Sequence, residues 1–133
     1  MKKGIVSIPG AAIVLLTTLV LTASAFQTWS FLGERGVTDK KDHDTIAVTA
    51  GRGPFTAIKL GVRGRAVQFH KVVVHFATGA DFEVELRDTI AAGAESRVIN
   101  LPGGRRNMKS IDFWYDAKSA VGGQAQVRVF GRL

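Results

Sequence analysis

The chain contains no cysteine. That excludes a disulfide framework, a thiolate zinc site, a cysteine nucleophile and a lipidated-cysteine anchor. Proline is scarce, with three residues, and there are two methionines, two tryptophans and one tyrosine. The usual catalytic signatures are missing too. Beyond residue 25 the serines are Ser30, Ser96, Ser110 and Ser119, and none sits in a Gly-x-Ser-x-Gly elbow or a Ser-x-x-Lys motif. There is no Walker loop and no Gly-x-Gly-x-x-Gly between a strand and a helix. The expectation is a protein that is not an enzyme. With 133 residues there is room for one domain. Low hydrophobicity with extreme charge would suggest disorder, but 46% hydrophobic and 22% charged residues argue for a packed core.

What is present begins with an address. Lys2 and Lys3 form a short positive region, residues 5–21 are mostly apolar, and Ala23-Ser24-Ala25 supplies the small-residue pattern that signal peptidases cut. The apolar run is at the short limit for a membrane span, and Pro9-Gly10 interrupts it. Residues 1–25 are therefore expected to be a cleaved signal peptide and 26–133 a single domain without a membrane span. The expected location is outside the cytoplasm, either periplasmic or secreted. Formal charge falls from +7 to +5 when the two leader lysines go, because the leader holds no acids.

Residues 26–133 hold 12 Val, 5 Ile and 8 Phe against 5 Leu. β-Branched and aromatic side chains suit a pleated, half-buried surface. Alternation agrees. Ile58, Leu60 and Val62 take one phase and Lys59, Gly61 and Arg63 the other. Similar period-two patterns run through Phe82-Val84-Leu86, Ile111-Phe113-Tyr115 and Ala125-Val127-Val129. Val67-Phe69 and Val72-Val74-Phe76 are out of phase, which predicts a bulge at His70-Lys71. Further strands are expected over 28–33, 45–50 and 97–101. A helical turn is possible on the pattern of 88–95. Turn residues separate the runs at Gly51-Arg52-Gly53-Pro54, Gly64, Thr78-Gly79, Pro102-Gly103-Gly104 and Gly122-Gly123. About eight strands at such spacings imply an all-β, antiparallel β-sandwich or a small barrel, and the sandwich is the expectation taken forward.

Four groups of residues could carry binding chemistry. Asp39, Asp42 and Asp44, with His43 among them, form the densest acidic segment. Asp42 and Asp44 share one side of an extended chain, so with Asp39 they could hold Ca²⁺. The segment lacks EF-hand spacing and contains two lysines, and the commoner role of such aspartates is to cap a turn or pair with arginine. No cofactor is otherwise expected. His70 and His75 are five apart and share a face only if a bulge lies between them. Gly103-Gly104-Arg105-Arg106 could bind an anion through converging N–H groups and guanidinium forks, with Arg97 nearby in sequence. The alternative is a hairpin turn with Arg105 in water and Arg106 paired to an acid such as Asp112. Trp114 takes the polar phase of its strand, between Asp112 and Asp116, where it could stack on a sugar ring or be covered as core. Nucleic-acid binding needs cations and stacking aromatics on one face. Here the arginines look scattered and the aromatics mostly fit core phases, so nucleic acid is not the expected partner.

Taken in order, these motifs resemble a family of small exported bacterial proteins known only as a domain of unknown function. The matching pieces are Leu32-Gly33 with Val37, Asp42-x-Asp44-x-Ile46, and Gly53-x-Phe55-x-x-Ile58-x-Leu60-x-Val62. They continue with Gly93 through Arg97-x-Ile99-x-Leu101, Gly103-Gly104-x-Arg106 with Ile111 and Tyr115, and Ala125-x-Val127-x-Val129-x-Gly131. Relatives often carry Ile-Asp-Leu where this chain has Ile99-Asn100-Leu101. The resemblance implies an exported sandwich similar to the galactose-binding-like jelly rolls, and it implies no activity. Three functions fit the sequence. The first is a non-catalytic module that binds an envelope polymer, a lipid headgroup or a protein partner. The second is a Ca- or Zn-dependent carbohydrate-binding protein or hydrolase. The third is an accessory subunit of an envelope assembly.

Overall fold

The computed structural model of the chain describes residues 28–38, 42–48, 53–116 and 125–133. Residues 1–25, expected to be a signal peptide, together with Asp39 and the turn glycines 51, 122 and 123, lie outside the described residues. Nine strands form in chain order: β1 Trp29–Val37, β2 His43–Ala47, β3 Ala57–Arg63, β4 Val67–Phe76, β5 Phe82–Val84, β6 Thr89–Ile90, β7 Ile99–Asn100, β8 Met108–Tyr115 and β9 Ala125–Arg132. No helix occurs among the described residues, and so none is long and apolar enough to cross a membrane. The helical turn considered over 88–95 does not form. That stretch holds β6, a turn at Ala92-Gly93 and a bridge from Glu95 to Gly61.

Two antiparallel sheets are built. One has the order β1-β9-β3-β7; the other runs β2-β8-β4-β5, with β6 paired to β4. Their inner faces share one core, made of the apolar phases that the sequence alternation picked out. Ile58, Leu60, Val62, Val127 and Val129 come from the first sheet, and Val72, Val74, Ile111, Phe113 and Tyr115 from the second. Burying each such side chain contributes about 1.5–3 kcal/mol before entropy is charged against it.

The bulge expected at His70-Lys71 is present. The β4–β8 register shifts between Phe69 and Lys71, so Phe69 and Val72 both point inward although they are three apart. Element lengths differ from the expectation at several places, since β2 is His43–Ala47 rather than 45–50 and β5 stops at Val84. β1 runs on to Val37, and β7 is only two residues long. The outward phase of β3 is less open to water than period two suggests. Lys59 is half-buried and Gly61 buried, because Phe130 and Trp29 lie over them.

Candidate functional site

Register determines which polar side chains meet on the outer face of the second sheet. β2 pairs with β8 so that His43 faces Trp114, Thr45 faces Asp112 and Ala47 faces Ser110. β8 pairs with β4 so that Trp114 faces Lys71, Asp112 faces Val73 and Ser110 faces His75. β5 then sets Glu83 against Val73. Side chains on one side of a sheet sit about 5 Å apart across strands, close enough to interact row by row.

The first row is His43–Trp114–Lys71. The imidazole stacks on the indole with centroids 4.3 Å apart and planes 20° apart, and Lys71 Nζ lies 4.4 Å from the indole centroid. Trp114 is thus on the outer face, as its phase indicated, and half-buried. The contacts come from strands on opposite sides of β8 and occupy ring surface that a stacked sugar would need. Beside this row lies a depression of about 330 Å³ lined by His70, Lys71, Glu83, Glu85, Arg87 and Trp114. Lys71 Nζ is 3.8 Å from Glu83 Oε1 within it. The bulge brings His70 to the same depression as its neighbour Lys71.

The next rows hold a clasp around His75. Its Nε2 donates to Asp112 Oδ2 at 2.7 Å and its Nδ1 donates to Asp81 Oδ1 at 2.9 Å. Both acceptors are carboxylates, so both bonds form together only with the doubly protonated ring, and the clasp favours that form. The bonds to Asp112 and Asp81 raise the His75 pKa above its usual 6.5, against a smaller desolvation effect. Burial pushes the Asp112 carboxyl upward, but the hydrogen bonds from Thr45 and His75 and the charges of His75 and His43 hold it below 3.8. His43 Nε2 lies 3.8 Å from the same carboxylate.

The acidic segment separates. Asp44 is buried at 6% exposure, Asp42 is exposed, and Asp39 lies outside the described residues. Tyr115 donates its hydroxyl to Asp44 Oδ2 at 2.8 Å, and Arg35 Nε lies 3.4 Å from Oδ1. Burial, then the bond to Asp44, pushes the Tyr115 phenol upward. Among the described residues no three His, Asp or Glu side chains gather as metal ligands do. Arg97 donates to the Glu85 carbonyl at 3.2 Å. Arg105 is exposed. Arg106 donates to the carbonyls of Pro102 at 3.1 Å and Thr78 at 3.0 Å, with its guanidinium 3.8 Å from the Phe76 centroid. It pins the turn at Gly103-Gly104, whose φ values of 83° and 78° favour glycine, to the loop after β4. The ion pair expected between Arg106 and Asp112 is not made, since Asp112 is on the other sheet face with His75.

Asp42, Asp44, Arg97 and Arg106 therefore do not converge on one pocket. The residues that do gather form two neighbouring groups, His43 and Lys71 against Trp114 with Glu83 beside Lys71, and His75 with Asp81 and Asp112. The sequence singles out His43, His75 and Trp114 separately but not Lys71, nor the pairing of His75 with Asp81 and Asp112. Their outward phase was visible, but the pairing of β2, β4 and β8 was not.

No curated protein is similar enough to this chain to count as a match. A family model does match, over residues 11–131, under the description domain of unknown function (DUF2541). That span covers nearly the whole sequence, and the chain belongs to this family.

Proposed function

We propose that the protein is an exported, non-catalytic binding module of the cell envelope, and that its working surface is the outer face of the second sheet. The observation that carries this reading is the mixed-charge depression beside Trp114. Lys71, His70 and Arg87 can meet carboxylates, and Glu83 and Glu85 can meet amino groups. Such a lining suits a cell-wall polymer that carries both groups, as peptidoglycan does. With His43 and Lys71 already against the indole, recognition rests on charge and hydrogen bonds at its edge rather than on a bare sugar platform. A non-catalytic role is supported by the His75 clasp. A general base needs a ring nitrogen with a free lone pair, and both nitrogens are committed to carboxylates.

The fold supports a jelly-roll reading. The first four strands visit the two sheets as first, second, first, second, and β1-β9-β3-β7 opposes β2-β8-β4-β5 as two interlocked Greek keys would. Export rests on the leader pattern, and N-terminal sequencing of protein recovered outside the cytoplasm checks it, with Phe26 expected first.

Binding is tested by co-sedimentation with purified insoluble peptidoglycan. The protein is expected to pellet with the polymer, less so as salt rises, and Lys71→Ala with Glu83→Gln should cut retention by roughly tenfold. Retention that neither salt nor these substitutions change, or no retention at all, overturns the reading.

A further inference from the structure

The opposite outer face, on the first sheet, collects aromatic rings and cations that are far apart in sequence. Register places Trp29 beside Arg132 and Phe31 beside Phe130 across the β1–β9 pair. Across β9–β3 it places Phe130 beside Lys59 and Arg128 beside Gly61. Lys59 Nζ lies 4.5 Å from the Trp29 centroid, and the Arg132 guanidinium 5.0 Å. Arg128 lies 4.7 Å from the Phe31 centroid and 5.3 Å from that of Phe130. Phe31 and Phe130 meet edge to face at 5.9 Å. Most aromatics are core, as their phases indicate, but Trp29, Phe31 and Phe130 are outward here, and the cations that looked scattered in the sequence meet them. The cause is the meeting of the two ends of the chain: β1 brings Trp29 and Phe31, β9 brings Arg128, Phe130 and Arg132, and β3 brings Lys59.

Two more properties point to a partner. Arg63 also belongs to this face, so four cations stand against the carboxylates of Glu34 and Glu95. The three large hydrophobic residues exposed among the described ones, Phe31 at 39%, Val98 at 42% and Leu133 at 61%, all belong to this sheet or adjoin it. Val98 directly precedes β7 and Leu133 directly follows β9.

We infer that this face docks on an anionic lipid surface. Lysine and arginine meet the headgroup phosphates while Phe31, Val98, Leu133 and the amphipathic Trp29 enter the interfacial layer. A soluble polyanion would satisfy the cations and leave the exposed apolar side chains in water. A second copy packed face to face across a two-fold axis would set cations against cations. A planar array of mixed apolar and cationic side chains fits a planar surface of matching composition. The inference stands apart from the peptidoglycan reading, which concerns the other sheet.

The test uses the protein as recovered after export, with Trp114→Phe, so that Trp29 alone reports. Vesicles of equal parts phosphatidylglycerol and phosphatidylcholine, with bromine-labelled acyl chains, are expected to quench Trp29 emission. Vesicles of phosphatidylcholine alone should not. Arg63→Gln with Arg128→Gln should raise the lipid concentration needed by roughly thirtyfold, at two cations removed. Leu133→Ser, at an exposed chain end where folding is not at stake, should also weaken quenching. No quenching by the anionic vesicles, equal quenching by the neutral ones, or indifference to all three substitutions overturns the proposal. A Trp29 response to single-stranded nucleic acid without lipid would assign the face to a polyanion, and concentration-dependent dimerisation that shields Trp29 would assign it to a second copy. Either would overturn it as well.

Discussion

His75 shows how much of the site's behaviour rests on single hydrogen bonds. Its folded pKa lies above the unfolded 6.5, so its contribution to stability is complete below about 6.5 and is lost as pH rises through the folded value. Asp112 works in the other direction. Its folded pKa lies below 3.8, so its contribution is present above that value and is lost as pH falls through the depressed one. The clasp is thus whole in mildly acidic solution. The melting temperature of the protein should exceed that of His75→Gln most at about pH 5 to 6, with the gap narrowing above neutrality. Thermal unfolding of both proteins across the pH range checks this, and a gap that widens in alkali contradicts it. Asp44 shows a different dependence on its surroundings. Its buried carboxylate is tolerable only because Tyr115 and Arg35 meet it.

At the scale of the strand, β4 joins two segments of opposite phase. Deleting His70 would leave Phe69, Lys71 and Val72 as inward, outward and inward, which is regular alternation. The shortened strand should therefore fold cooperatively, while losing part of the depression beside Trp114. Deleting Val73 would turn Val74 and Phe76 outward from the core and should abolish cooperative unfolding. Circular dichroism through a urea titration distinguishes the two deletions. This strand also shows what was legible in the sequence. The out-of-phase runs Val67-Phe69 and Val72-Val74 located the bulge, and alternation in β3, β8 and β9 identified most of the core. Pairing was not legible, because nothing in a strand's own residues states its neighbour. His43, Lys71 and Trp114 read as unrelated surface residues until β2 and β4 flank β8. Likewise Arg132 and Trp29 are about a hundred residues apart, and the β1–β9 pair joins them. Gly61 reads as an ordinary outward position, and its closeness to Phe130 follows from the β3–β9 pairing.

The whole molecule is held without a crosslink, so its margin depends on how closely the core fits. Gly131 in β9 is one of the tightest places. A Cβ there would stand 2.8 Å from Phe55 and 3.0 Å from Leu32. Gly131→Ala should cost about 1–3 kcal/mol through overpacking, read as a lower urea midpoint with an unchanged slope. The core also sets the two outer faces back to back. A substitution on one can alter its partner without disturbing the other, since distant sites without shared partners act additively.

The pairing of the first described strand with the last has a consequence for the order of assembly. β9 lies between β1 and β3, so neither can complete its ladder until the final eight-residue strand has been made. Loop-closure entropy over nearly the full chain is charged before those contacts repay it. The first sheet therefore cannot close before β9 has been made. Until then the rings of β1 and the lysine of β3 lack the strand that sets them on one surface.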